Sequence, residues 1–390
     1  MVYDFDEVVD RSQNYAAKCE EANLHYGTND IIPLWIADMD FRTAQPIIDA
    51  IKARADQGIF GYTYRPDSYF QTIAQWQLKR NGYLPDTEKM AFAPGVVPSI
   101  RMVLNLFTRP GDGIIIQQPV YHPFADVVEN TGRFLAVNPL KIEDGRYVID
   151  LEDFEEKARA GARFFILCNP HNPVGRCWTA EELRAVGEIC LRYGITVISD
   201  EIHSDLMLYG HKHTVMASLS PEIAGITITA IAPSKTFNLA GLQSSTIIFD
   251  TLEHKERYIR ELKEMDIARN NCFSLVATMA AYREGEEWLG QLIPYLEKNM
   301  DFIFDFCRQK LPQLKPNRPE ATYLCWIDAR DLGMNDEELL RFTVDKAGVA
   351  LGKGGEFGTG GSGFLRFNAA CPRARVKKAL EQLKAAADSL

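Results

Sequence analysis

The stretch FFILCNPHNPVGRCWTAEELRAVGEICLRYGITVISD, residues 164–200, decides the fold. It opens on the apolar run FFILC (164–168) and closes on TVISD (196–200). Near-continuous apolar and β-branched runs are what strands buried on both faces require. A helix lies between them. Thr179 and Glu182 have capping-box spacing, Leu183, Val186 and Cys190 share a face, and Gly194 stops it. Strand, helix, strand in that order predicts a parallel sheet with right-handed crossovers. Outward from this unit, IIIQQ (114–118), ITITA (226–230) and STIIF (245–249) predict further strands. A long helix is expected over 283–310, then short strands at TYLCWID (322–328) and GFLRFN (363–368) and a closing helix rich in Ala, Lys and Leu. The fold class is therefore α/β. A mainly parallel large domain over 44–283 is joined to a smaller α/β domain made of 1–43 and 284–390.

The 390 residues are 46% hydrophobic, enough for a large core. The 43 basic and 53 acidic residues leave a net charge of −10. That balance argues against nucleic acid and anionic membranes as partners. The opening MVYDFDEVVD has acids and no apolar core of a secretion signal, and no run approaches the ~20 apolar residues of a membrane span. Eight scattered cysteines without a C-x-x-C pair predict reduced thiols and a cytoplasmic protein.

In an open α/β sheet, ligands bind beyond the carboxyl ends of the strands. The residues following the predicted strands converge there. They are Tyr121 after 114–118, Asn172 after 164–168, Asp200 and His203 at and after 196–200, and Ser234 and Lys235 after 226–230. A lysine amine with a lowered pKa forms Schiff bases with aldehydes. Pyridoxal phosphate (PLP) is the aldehyde cofactor that uses such a lysine, and its ring nitrogen needs an acidic partner. Asp200 is the acid. Asn172 and His203 are donors for the ring's phenolic oxygen, and Tyr121 can stack on the ring. Gly95 followed by Val96, Val97 and Pro98 reads as a tight turn into a helix N-terminus, whose amides suit a phosphate. No metal site is expected.

SDEIH, NPHNPVG and SKTFNLAGLQ resemble the fold-type I PLP enzymes of the class I/II aminotransferase superfamily. IADMDF, GIFGYTY (58–64), SDEIHSDL (199–206) and FLRFNAACP (364–372) resemble more closely its MalY/PatB-type cystathionine β-lyases, or C–S lyases. The resemblance runs from about residue 4 to 372. It implies that Lys235 holds PLP and acts in catalysis with Tyr121 beside it. Asp200 pairs with the ring nitrogen, and Asn172 bonds the phenolic oxygen. Arg366 clamps the substrate carboxylate, helped by the backbone N–H of Ala37. Tyr62 reaches the phosphate of a neighbouring subunit, which implies a homodimer. Two positions depart from the wider superfamily. Ala232 stands where serine is frequent, and Gln243 where arginine is frequent. The phosphate would then lean on Val96, Val97, Ser234 and Tyr62. The activity implied is α,β-elimination from L-cystathionine and related S-substituted L-cysteines. An aminotransferase is the alternative, and a PLP-binding regulatory protein ranks below both.

Three further features read as structural. HKH (211–213) predicts a solvated hairpin tip, GKGGEFGTGGSG (352–363) a flexible loop, and Glu201 an acid facing solvent or a helix end.

Overall fold

The structure is a computed structural model that describes residues 1–11 and 14–390. Its strands are β1 (Ile32–Leu34), β2 (Met90–Ala93), β3 (Gly113–Gln118), β4 (Phe134–Pro139), β5 (Lys141–Glu143), β6 (Arg146–Val148), β7 (Ala162–Cys168), β8 (Thr196–Asp200), β9 (Thr227–Ile231), β10 (Ser245–Ile248), β11 (Lys315–Pro316), β12 (Leu324–Asp328), β13 (Val349–Lys353) and β14 (Phe364–Asn368). Seven of them form a sheet in the order β2-β10-β9-β8-β7-β3-β4, and five form a second in the order β1-β13-β14-β12-β11. β5 and β6 make a separate hairpin.

The large sheet is buried on both faces, as its sequence requires. Side chains alternate between faces with period two. Ile114, Ile116, Phe164, Ile166 and Ile198 join one core, while Ile115, Phe165, Leu167 and Val197 join the other. The helix between β7 and β8 spans Ala180–Tyr193 and carries the capping box at Thr179 and Glu182. Gly194 ends it at φ 66°, a left-handed conformation glycine adopts without strain.

One strand differs from the sequence expectation. β10 runs antiparallel to both β9 and β2, whereas the other neighbours pair in parallel. The physical reason is the connection. A parallel return needs a crossover of a dozen or more residues, usually a helix. Between Ile231 and Ser245 the chain instead spends its residues on the four-residue helix Pro233–Thr236 and a 3₁₀ turn at Ala240–Leu242. The long helix expected over 283–310 is present as Glu286–Lys310, and a separate helix, Cys272–Glu284, precedes it. They meet at Gly285, where any side chain would collide with the ring of Phe237.

The loop 352–363 is packed rather than free. Val120 N–H donates to the Phe357 carbonyl (3.0 Å), and Thr359 N–H donates to Gln118 Oε1 (2.9 Å). A side chain at Gly354 would run into the Gly361 carbonyl, so this part of the loop needs glycine for close approach. The 211–213 tip is solvated only at His211 and Lys212. His213 is buried, and its Nε2 lies 2.8 Å from Glu201 Oε2. Glu201 is buried too. It also accepts from Ser199 Oγ (2.8 Å) and from the Met216 N–H (3.1 Å). The HKH motif failed as a guide because a β-turn tip and its buried flank are adjacent in sequence. Removing the Glu201 carboxylate leaves the buried Ser199 hydroxyl, His213 ring and Met216 N–H without this partner. Glu201→Ala is therefore expected to cost roughly 3 kcal/mol, seen as an earlier first unfolding transition in urea.

Candidate active site

The carboxyl ends of the parallel strands open into a cavity of about 810 Å³. Val96, Val97, Tyr121, Asn172, Asp200, His203, Ser234, Lys235, Arg366 and Ala37 all line it. The structure brings these ten sequence-predicted residues together around one cavity. Tyr62 does not line it. That residue is 93% exposed on the segment 57–66.

Each element delivers one group. Asp200 is the last residue of β8, and β7 pairs with it so that Cys168 stands opposite Asp200. Asn169 N–H donates to the Asp200 carbonyl (3.0 Å), and this leads the chain into the turn that carries Asn172. Tyr121 N–H donates to the Asn172 carbonyl (3.0 Å), tying the turns after β3 and β7 together. Lys235 sits in the helix Pro233–Thr236 immediately after β9. Its neighbour Thr236 donates to Asp205 Oδ2 (2.9 Å), and Asp205 in turn accepts from Trp76 Nε1 (3.0 Å). The lysine-bearing turn is thus anchored in the core from behind.

Arg366 reaches the cavity from β14 of the other sheet. It donates through Nη1 to Asn172 Oδ1 (3.2 Å) and through Nη2 to the Trp35 carbonyl (2.6 Å). The segment after β1 completes the wall. Lys235 Nζ donates to the Ala37 carbonyl (2.8 Å), and so does Tyr323 OH (2.9 Å). The sequence reading used the N–H of Ala37, whereas the structure engages its carbonyl. Asn368 Nδ2 also holds this segment, bonding the carbonyls of Ile36 (2.7 Å) and Asp38 (2.6 Å). Tyr323, Trp35 and Asn368 escaped the sequence reading. They act through backbone carbonyls of a distant segment, and no local pattern announces such contacts.

The electrostatics follow from burial. Desolvation, helped by the nearby Arg366 charge, lowers Lys235 to about 8, against the opposing pull of Asp38 and Asp200. Desolvation raises Asp200 to about 7, although the Ile202 N–H and Lys235 favour its charged form. His203 is pushed down to about 3 by burial and by the Lys235 and Arg366 charges, so its ring is neutral. Burial pushes the Tyr121 hydroxyl up.

These residues fit PLP on their own geometry. The Asp200 carboxylate accepts one hydrogen bond among the described residues, from Ile202 N–H (3.1 Å), and has no ion-pair partner among them. Such a carboxylate is stabilised by a group that brings a protonated nitrogen. His203 Nδ1 and Arg366 Nε are buried without a hydrogen-bond partner. The first amides of the helix Val96–Phe107 have no intrahelical acceptors, and Gly95 enters that helix at φ 152° and ψ 160°, which only glycine adopts readily. Ser234, Ser244 and Ser245 line the same region, as does Gln243. The cradle is therefore one of amides and hydroxyls rather than of cations.

Fold and site together define a PLP-dependent enzyme of fold type I. The sequence profile of the aminotransferase class I and II family matches residues 29–383. Cystathionine beta-lyase PatB of Bacillus subtilis (strain 168) is 44% identical over 383 residues, covering 98% of this chain and 99% of that protein. A PLP-bound structure from Clostridium difficile 630, provisionally described as an aminotransferase, superposes with a TM-score of 0.97 at 48% identity and covers 99% and 100% of the two chains. Cystalysin from Treponema denticola, which contains PLP, superposes with a TM-score of 0.96 at 34% identity and covers 100% of each. The chain belongs to the MalY/PatB-type cystathionine β-lyase family of the class I/II aminotransferase superfamily, and its cofactor is PLP. No helix of the described residues is long and apolar enough to cross a membrane, and no group of three metal-binding side chains occurs among them.

Proposed function

We propose that this protein is a C–S β-lyase. Its substrates are S-substituted L-cysteines, L-cystathionine among them, and its products are a thiol, pyruvate and ammonia. The observation that carries the reading is the meeting of a lysine amine with lowered pKa and a buried arginine in one cavity. The choice of elimination is supported by the 44% identity to a cystathionine beta-lyase. PLP, when bound, supplies the electron sink that makes the substrate's Cα proton acidic.

The residues then take separate roles. Asp200 would keep the ring nitrogen protonated. Asn172 and His203 would donate to the ring oxygen, Tyr121 would pack on the ring face, and the amides of Val96 and Val97 with Ser234 would hold the phosphate. Arg366 binds the α-carboxylate, with Ala37 beside it, and thereby orients the Cα–H bond toward Lys235. The amine of Lys235, which would anchor PLP before substrate arrives, takes that proton. The Cβ–S bond then breaks and the thiolate leaves. The released enamine hydrolyses in water to pyruvate and ammonia. Incubation with L-cystathionine tests this. Equal amounts of pyruvate, ammonia and thiol without an added acceptor are expected. Turnover only in the presence of an oxo acid would show the aminotransferase instead, the reading favoured by the description of the C. difficile relative.

The chain divides at about 44 and 283 in this reading. Every strand of the seven-stranded sheet falls between, and every strand of the five-stranded sheet falls outside. The protein works as a homodimer in which Tyr62 reaches the partner's phosphate site. Support comes from an exposed cluster, Ile59, Phe60, Tyr62 and Tyr64, of a kind that marks interaction surfaces. Tyr62→Phe should weaken PLP retention about tenfold by removing one phosphate hydrogen bond. Mixed dimers with a Lys235→Ala partner should show the loss crossing subunits. A fully active monomer would overturn the claim. The eight free thiols suit a reducing cytoplasm.

A further inference from the structure

The outer end of the cavity carries charges that the chemistry above does not use. Lys353 and Glu356 both line it. Their neighbours explain how they come to be there. Gly352 lies so close to Arg366 that an added Cβ would sit 3.2 Å from Arg366 Cβ. The Phe357 ring lies under the Arg366 guanidinium at 4.8 Å. Residues 352 and 357 thus pack on the arginine assigned to the α-carboxylate, and 353 and 356 carry opposite charges on the chain between them.

Lys353 Nζ is 3.4 Å from Glu356 Oε1, with the two side chains 33% and 51% exposed. An ion pair this exposed is worth little and exchanges its partners readily. Lys353 Nζ also lies 5.5 Å from the centre of the Tyr26 ring. Tyr26 is fixed by donating to the Leu351 carbonyl (3.1 Å) and by an edge contact with Trp35 at 5.5 Å. An aromatic wall therefore leads from the arginine to the charge pair.

We propose that Lys353 and Glu356 form a distal subsite for a leaving group that ends in adjacent carboxylate and ammonium groups. The proposal rests on the lyase reading and narrows its substrate class. Such a thiol is itself an amino acid, as in L-cystathionine, and an S-alkyl cysteine lacks the matching charges. Lys353 takes the distal carboxylate and Glu356 the distal ammonium. Each charge exchanges its present partner for one from the substrate, and the thioether chain lies along Tyr26 and Trp35. Two amino-acid ends joined by a short thioether are separated by roughly 7 Å of extended chain, and Lys353 directly follows Gly352, the strand partner of Arg366.

Two thioethers that each lack one distal group provide the test. S-(carboxypropyl)-L-cysteine keeps only the carboxylate, and S-(aminopropyl)-L-cysteine keeps only the ammonium. Relative to S-propyl-L-cysteine, Lys353→Met should lower kcat/KM about threefold for the first and for L-cystathionine but not for the second. Glu356→Gln should show the reverse pattern, and the double variant should lose about tenfold on L-cystathionine, as expected for half-exposed charges. The changes should appear in KM. A uniform loss on all substrates, or no change in these ratios, would overturn the subsite. Binding measured by calorimetry separates this from the fate of the lyase reading. L,L-Diaminosuberate has methylene in place of the cystathionine sulfur and cannot eliminate a thiolate. It should bind the wild-type holoenzyme about tenfold more tightly than α-aminooctanoate, and the double variant should erase the difference. Equal wild-type affinities would overturn the subsite even if elimination is confirmed.

Discussion

Lys235→Ala is expected to lower turnover by about 10⁴-fold or more. In the proposed lyase the amine has two tasks, covalent attachment of PLP and transfer of the Cα proton. General-base catalysis alone contributes about 10²–10⁴-fold, and loss of the nucleophilic amine removes the attachment route as well. Borohydride should fix the cofactor to Lys235 in the wild type and to no residue in the variant. A label on another lysine, or turnover retained in Lys235→Ala, would overturn the assignment. The pH behaviour gives an independent check. Burial and the Arg366 charge disfavour the ammonium form and bring Lys235 to about 8. More of the amine is neutral near pH 7 than for an ordinary lysine, and neutral amine is the form that attacks an aldehyde. In apoprotein, trapping of pyridoxal by Lys235 should therefore rise with pH through about 8. A rise centred near the ordinary lysine value of about 10.4 would show that the cavity does not tune the amine.

Most of this site could be read from the chain because each group follows its strand directly. Asp200 ends β8, Asn172 follows β7 within a short turn, and Lys235 follows β9 within a four-residue helix. Strand ends fix position, so the residue just after a buried apolar run is already half located in space. Arg366 was legible for a different reason. The resemblance supplied its role, since FLRFN alone reads equally well as a strand with an exposed charge, and the structure shows the cation buried. What the chain concealed depends on contacts between distant segments. The Ala37 carbonyl gains meaning only when Lys235 and Tyr323 both point at it. Glu201 and His213 pair across twelve residues behind the sheet, where alternation along β8 turns Ser199 away from the Asp200 side. The antiparallel β10 was hidden because its apolar run looks the same in either direction, and only the lack of a long crossover helix in the connection distinguishes them.

Asp200→Asn is expected to act in opposite directions on the apoprotein and the holoenzyme. Asparagine keeps the shape and one acceptor oxygen but carries no charge. In the folded apoprotein the carboxyl is raised from 3.8 to about 7, chiefly by burial. A raised acid pKa means that the folded state binds the proton more tightly than the unfolded chain does. The destabilising contribution is absent below the unfolded value, grows as pH rises from about 4 to about 7, and is constant above. Asparagine escapes it. The variant apoprotein should therefore gain stability over the wild type through that pH window, measured as the difference in urea midpoints. PLP reverses the sign. In the proposed site its protonated ring nitrogen would turn the unpaired carboxylate into one half of a charge-assisted hydrogen bond, worth roughly 1.5–3 kcal/mol. The variant should thus retain PLP about ten- to a hundredfold more weakly. Elimination should fall further than retention, by roughly 10²–10³-fold at saturating PLP, because a neutral partner does not hold the proton on which the electron sink depends. A merely structural role for Asp200 would instead destabilise the apoprotein and leave turnover at saturating PLP near the wild-type level. The opposed signs therefore distinguish a residue kept for the cofactor from one kept for the fold.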